Sequence, residues 1–291
     1  MLKQKIIFSL VALVWVLSTG KGEAFVPQAP HLLHLMVQKI KQPAGMEIHQ
    51  TRNLLAVSGK AAGPEGESGG DPGTKTIAVD EKLVYVLPGK LRADMVSGTV
   101  SRFHVESDSQ FIKVADGRIV SLKKSPVDFY TDPLLYRDHE TLLNQLVLAG
   151  VDTQRVTFQR FDDKICYFIG QPPLSGQESP GFWIDKESLF PVRYLIEQNG
   201  WRVSFHYENW HRVSKTWYPL RTTISVDDQV FAIIDVQQFK LESQFPSVLF
   251  DVTHIQGQYR GGSSSQEEGQ EALDQFDELD KQMDDFRKLY E

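Results

Sequence analysis

The sequence predicts a mainly β protein, one antiparallel sheet, barrel or sandwich with a few helices, and three observations carry the prediction. Roughly ten or eleven strand-like runs follow each other at close spacing, divided by turn signals such as Asp116-Gly117. A single helical break interrupts them, and no strand-helix-strand rhythm of a parallel sheet is visible. The 291 residues are 41% hydrophobic and 24% charged, with a mean hydropathy of -0.29, which suits a soluble body with ample material for one core.

The first thirty residues stand apart. Lys3 and Lys5 precede the uncharged run "IIFSLVALVWVLSTG", and Gly22 and Ala24 occupy the small-residue positions of a signal peptidase site. Residues 1–24 are expected to be a cleaved secretory signal, with the mature chain starting at Phe25. The apolar run is about 14 or 15 residues, short of the roughly 20 that a spanning helix needs. Cys166 is the only cysteine, so no internal disulfide can form. Its neighbours Ile165 and Tyr167 predict a small buried hydrophobe in a strand.

In "HLLHLMVQKI", Leu32, Leu35, Met36 and Ile40 recur at helical spacing, and Pro43 ends the run. "GMEIHQTRNLLAVSG" reads as a strand and the Gly-rich 59–75 as a flexible loop. Strands are then expected in "TIAVDEKLVYVL", "KLRADMVS", "TVSRFHVES" and "QFIKVADGRIVSLKK". The break "DPLLYRDHETLLNQLVLAGVDT" puts Leu142, Leu143, Leu146 and Val147 on one helix face, with Asp138 or Thr141 as cap and Gly150 as stop. Alternation resumes in "QRVTFQRFDDKICYFIGQ" and runs through "GFWIDKESLFPVRYLIEQ", "GWRVSFHYENW", "WYPLRTTISV" and "QVFAIIDVQQFKLES". In the second of these, "DKES" is the turn of a hairpin and Pro191 enters the next strand.

Beyond a Gly/Ser linker at 259–265, Leu273, Phe276, Leu279, Met283 and Phe286 mark an acidic amphipathic helix over 266–291, opened by a capping box of Ser265 and Glu268. The chain thus divides into a signal, a body at 25–258, a linker and a tail. From residue 265 onward ten acids face three bases, which accounts for the whole net charge of -7 and leaves the body formally neutral. No clustered Lys and Arg exist to hold nucleic acid, and anionic membrane surfaces gain no purchase by charge.

The residue patterns of known chemistries are missing. The eight histidines are scattered, without the spacing of a zinc protease or a Cys/His cluster; His206 and His211 flank "YENW", but no metal is expected there. No Gly-x-Ser-x-Gly elbow is present, and Cys166 would act as a nucleophile only beside a base. The pairs Asp162-Asp163 and Asp227-Asp228 sit at expected hairpin tips, which Asp favours for its own reasons. No enzyme, metal or cofactor is expected.

What the pattern offers is an apolar face. Trp201, Val203, Phe205 and Tyr207 alternate with Arg202, Ser204, His206 and Glu208, and the same alternation picks out Val192, Tyr194 and Ile196, Val156 and Phe158, and Phe103 and Val105. A sheet of about ten strands curls, so these faces could enclose either a filled core or an apolar cavity. The wall residues predicted to contact a ligand are Phe103, Val105, Val156, Phe158, Tyr194, Ile196, Val203, Phe205 and Tyr207. Leu142, Leu146 and Val147 are predicted to face them from a lid.

Three stretches resemble the periplasmic lipoprotein carrier and sorting family (LolA-like). "LPGKLRAD" is similar to its strand motif through Pro88 and Arg92, "FWIDKESLFPVRY" to its hairpin motif through Asp185, Pro191 and Arg193, and "VQQFKLESQFPSVLFDV" to its closing strand. They span about 30–252. The resemblance implies an unclosed antiparallel β-barrel of about ten or eleven strands, covered by lid helices and followed here by the C-terminal helix. It implies a periplasmic, monomeric carrier or chaperone that takes lipoprotein or lipid acyl chains in a hydrophobic cavity, from an inner-membrane donor toward an outer-membrane acceptor, without a cofactor. The family's arginine that latches the lid stands just before the first motif's Pro, where this chain has Leu87. The alternative expectation is an envelope sensor or scaffold acting through protein contacts of the C-terminal helix.

Overall fold

The computed structural model describes residues 26–41, 43–56, 75–97, 100–108, 110–173, 176, 178–198, 200–242 and 244–259. The expected signal at 1–24, nearly all of the loop at 59–75, the linker beyond Tyr259 and the tail helix at 266–291 lie outside the described residues.

Helix α1 (Ala29–Ile40) comes first, with Pro30 in its first turn, where a missing N–H costs nothing. Six strands follow: β1 (Gly45–Ala56), β2 (Lys75–Val86), β3 (Lys90–Ser97), β4 (Val100–Ser107), β5 (Gln110–Ala115) and β6 (Arg118–Ser121). A 3-10 turn, Pro126–Thr131, runs into the short α2 (Asp132–Leu135), and α3 (His139–Leu148) follows. Seven more strands complete the sheet: β7 (Val156–Phe161), β8 (Lys164–Gly170), β9 (Gly181–Asp185), β10 (Pro191–Gln198), β11 (Trp201–Val213), β12 (Thr216–Val226) and β13 (Gln229–Glu242). A second 3-10 turn, Ser247–Phe250, leads to α4 (Val252–Tyr259).

Thirteen strands form one antiparallel sheet in the order β6-β5-β4-β3-β2-β1-β13-β12-β11-β10-β9-β8-β7. The count exceeds the predicted ten or eleven; three of the quoted runs are hairpins, β5–β6, β7–β8 and β9–β10. Asp116 and Gly117 turn at φ 46° and 73° between β5 and β6, and Asp162 turns at φ 49° between β7 and β8. Left-handed turns of this kind suit the twist of paired strands. The sheet has two free edges, β6 and β7, so it is an open barrel; its middle is the β1–β13 ladder, which joins the ends of the body. The connection between the two edges carries the 3-10 turn, α2 and α3, and with α1 it covers one face, here called the inner face.

The largest apolar cluster lies between these helices and the inner face. Leu32, Leu33, Met36 and Ile40 supply it from α1; Leu33, rather than the predicted Leu35, completes that stripe. Two smaller clusters lie on the outer face. One packs Phe250, Val252 and Ile255 of the C-terminal turn and helix against Val84, Val105, Ile112 and Val114. The other joins Cys166 to Phe168, Trp183, Val192 and Leu195. Burial pushes the Cys166 thiol up to about 11, which makes it the inert hydrophobe expected of its flanks.

Helix α3 begins and ends as its sequence specifies. The Asp138 carboxylate accepts from Thr141 N at 2.9 Å and from Thr141 Oγ1 at 2.8 Å. Gly150, at φ 88°, lets Val151 N reach Leu146 O at 2.9 Å and Gly150 N reach Val147 O at 3.0 Å, the paired bonds of a Schellman stop.

Candidate functional site

Strands β9, β10 and β11 build the apolar part of the inner face. Their register sets Tyr194 opposite Phe182 on one side and Phe205 on the other, and Ile196 opposite Val203. Because facing residues in antiparallel strands share a side of the sheet, these become one surface, with ring centroids of Tyr194 5.7 Å from Phe182 and 5.8 Å from Phe205. Tyr194, Ile196, Val203, Phe205 and Tyr207 are each at most 1% exposed. The side chains that cover them are Leu32, Leu33, Met36, Leu134, Leu135, Leu142 and Leu146, so the space between wall and helices is filled by the protein itself.

Five of the nine predicted wall residues therefore come together here. Val156 packs at the margin of the same cluster. Phe158 shares that face, opposite Tyr167, but it stands on the edge strand β7 beyond the helices and is 40% exposed, with the Lys186 ammonium 5.1 Å from its ring. Phe103 and Val105 are on the other side of the sheet. Val105 faces Arg92 and Ile112 in the ladder and lies in the outer cluster, while Phe103 packs against that cluster beside Tyr259. The alternation in β4 is inverted because α4 and the turn before it supply apolar cover outside. Val192 also turns outward, since the ladder shifts between Pro191 and Arg193.

Of the predicted lid residues, Leu142 and Leu146 face inward and are fully buried. Val147 does not; it is 52% exposed, because one residue past Leu146 is a rotation of about 100° around the helix. Leu143 takes its place against the core.

On the β1–β5 side the inner face carries a buried polar patch among apolar residues of the same cluster such as Ile48, Leu83, Leu91 and Met95, a feature that alternation alone could not reveal. Arg52 Nε lies 2.8 Å from Glu81 Oε1, and Gln50 Nε2 donates to Glu81 at 2.6 Å and to the Tyr130 hydroxyl at 2.9 Å. Asp128, from the 3-10 turn, lies 3.5 Å from both Arg52 Nη1 and Lys113 Nζ. Lys124 pairs with Glu106 at 2.7 Å and with Asp132, and the Tyr136 hydroxyl donates to Glu106. Burying a charge is costly, and pairing of this kind offsets the cost. Tyr130 joins this patch to the aromatic wall, since the Tyr207 hydroxyl donates to its carbonyl at 2.8 Å.

A second buried tie holds the lid together. Arg137, 1% exposed, donates to Leu134 O at 2.9 Å, to Lys41 O behind α1 at 2.7 Å, and to Trp217 O of β12 at 3.2 Å. Leu87 belongs to the main apolar cluster, so no polar tie to the lid comes from that position.

The motif residues are architectural. Asp185 caps its turn by accepting from Ser188 Oγ at 2.6 Å and Glu187 N at 3.1 Å, and Pro191 stands opposite Ile184. Arg193 lies over Trp183 at 4.8 Å on the outer face and donates to both carboxylate oxygens of Glu178. Arg92 lies 4.1 Å from the Phe103 ring and pairs with Asp94. Pro88 forms the β2–β3 turn with Gly89. Among the described residues no group of His, Cys, Asp and Glu could hold a metal ion, and no helix is long and apolar enough to cross a membrane. A cleft of about 590 Å³ opens among His49, Thr51, Asp80, Lys82, Asp94, Val96 and Gln237 on the outer face, on the opposite side of the sheet from the apolar wall.

No protein-family model matches the chain, and no curated protein does. Solved structures do. A LolA superfamily protein from Nitrosomonas europaea superposes with a TM-score of 0.51 at 10% identity, over 79% of this chain and all of that one (100%). A DUF1329 family protein from Desulfovibrio piger gives 0.46 at 12% identity, over 78% of this chain and 98% of that one. A candidate outer-membrane lipoprotein-sorting domain from Vibrio parahaemolyticus gives 0.47 at 8% identity, over 78% and 97%. The chain has a LolA-like fold: an open antiparallel barrel with helices across its inner face.

Proposed function

We propose that this protein is a periplasmic carrier that binds the acyl chains of a lipoprotein or lipid against its inner face and passes them toward the outer membrane. One observation carries the reading. The wall of Tyr194, Ile196, Val203, Phe205 and Tyr207 is covered by helices, α2 and α3 of the connection between the sheet edges and α1 ahead of β1, and not by another sheet layer. Such a cover can be displaced without breaking a strand pairing. The LolA-like fold and the three resembling motifs support the same reading.

The energetics suit a carrier. Burying each CH₂ contributes roughly 0.8 kcal/mol, so an acyl chain gains several kcal/mol on the wall. Displacing the lid leucines costs part of that gain unless they find new apolar contacts. The near-balance of one apolar filling against another gives binding that a stronger acceptor can reverse. A donor in the inner membrane and an acceptor in the outer membrane complete the proposed route, with the carrier working as a monomer.

Native mass spectrometry of protein purified from the periplasm tests this, together with displacement of a fluorescent fatty acid. Co-purified or exchangeable acyl chains are expected. A protein that carries none and takes up none overturns the proposal.

A further inference from the structure

The lid segment itself resembles a ligand. Its 3-10 turn places the Asp128 carboxylate at the buried polar patch of the inner face, and the residues that follow, Leu134 and Leu135, join the apolar cluster. A carboxylate at one end and aliphatic carbon at the other is the shape of an anionic amphiphile.

The surroundings of that carboxylate are incompletely satisfied. Arg52 Nη1 and Lys113 Nζ each stand 3.5 Å away, and neither Asp128 oxygen accepts a hydrogen bond among the described residues. His104 is 2% exposed, and its Nε2 also lacks a partner. His104 and Lys113 face each other across the β4–β5 ladder, so strand pairing fixes both on the same face. Glu81 contrasts with Asp128. It belongs to the sheet, takes a 2.6 Å hydrogen bond from Gln50 and a 2.8 Å ion pair from Arg52, and needs nothing from the lid. When the lid lifts, Arg52 keeps Glu81, whereas Lys113 loses the carboxylate it faces. Burial alone would raise the Asp128 carboxyl, and the neighbouring cations, Lys113 and Arg52 among them, outweigh it and hold the group below its ordinary range as a carboxylate. Burial pushes the His104 imidazole down to about 3, so that it meets Asp128 uncharged near neutral pH.

We infer that the inner face takes acyl chains bearing an anionic head, a carboxylate or a phosphate, whose oxygens replace the Asp128 carboxylate between Lys113, Arg52 and His104. The chain then lies on the apolar wall and the head at the charged patch, the two places that Tyr130 bridges in the closed form. A phosphate or fatty carboxylate is free to approach the donors more closely than a carboxylate tethered to the lid, and charge-assisted bonds strengthen as they shorten. This inference rests on the acyl-binding reading and adds to it a preference for charge.

The test compares matched pairs on the full mature chain by competition with a neutral fluorescent probe: palmitate against hexadecanol, and dipalmitoyl phosphatidate against dipalmitoylglycerol. At least one anionic member is expected to bind about 10-fold or more tightly than its neutral partner. The pair that shows the preference identifies the source of the head. Lys113→Met is expected to bring the preferred pair to near equality with the neutral affinity kept. Asp128→Asn removes the competing charge and is expected to tighten the anion alone, a gain that misfolding cannot imitate. Equal affinities within both pairs, or an Asp128→Asn variant that tightens neither member or both alike, overturn this inference and leave the acyl-binding reading standing. Failure of every chain to bind overturns both.

Discussion

Arg137 is a cation buried without a carboxylate partner among the described residues. Its donors meet three main-chain carbonyls, and burial pushes it down to about 10, so it stays charged near neutrality. Removing it leaves buried carbonyls unsatisfied, at about 1–3 kcal/mol each, offset in part by the desolvation no longer needed. Arg137→Met is therefore expected to lower stability by about 3 kcal/mol, read as a shift of the urea midpoint at constant slope. An unshifted midpoint would show that the clamp contributes nothing. In the sequence this arginine is one charge in "YRDHE", with no sign of burial. Two of its partners lie 96 and 80 residues away, and nothing local encodes them. The same holds for Asp128, Lys113 and His104, which read as ordinary polar positions until the lid is placed over them.

At the scale of elements, local signals served where the element's own residues set its conformation. The Asp138 cap and the Gly150 stop of α3 are cases in which side chain and backbone meet within a few residues. Asp138→Ala is expected to cost about 1 kcal/mol at neutral pH. The Thr141 backbone N–H, then its hydroxyl, hold the folded Asp138 carboxyl below its ordinary value. Its contribution is thus fully present above the unfolded value of about 3.9 and is lost as pH falls through the folded value. The gap between wild type and variant in thermal or urea unfolding should accordingly shrink as pH falls below about 4; a gap that stays constant with acidification would assign the loss to helix propensity instead. Strand β4 marks the limit of local reading. Its apolar residues Phe103 and Val105 alternate as predicted but face outward, because alternation gives two faces and not which one is inside. Val147 errs in a simpler way, by one position around the helix.

For the whole molecule, the decisive feature is that the sheet stays open. Strands β6 and β7 are its edges, and the chain between them spans the inner face as a cover. Among the described residues the body reaches from α1 to α4, and the three apolar clusters are assembled within that span. A variant ending at residue 260 is accordingly expected to keep the unfolding midpoint and acyl binding of the full chain. Loss of acyl binding on truncation would place the tail in the site, and loss of a protein partner alone in a pull-down would support the scaffold alternative. By itself the sequence determined the β class, the hairpins at Asp116-Gly117 and Asp162, the limits of α3 and the apolar side of β10 and β11, because each follows from dihedral preference or from a period of two within one segment. Only the tertiary structure decided which face each strand turns inward, that helices fill the space against the wall, and that a patch of buried charge sits within that face. Those outcomes depend on contacts between residues far apart in the chain, where burial and pairing, not local propensity, set the energy.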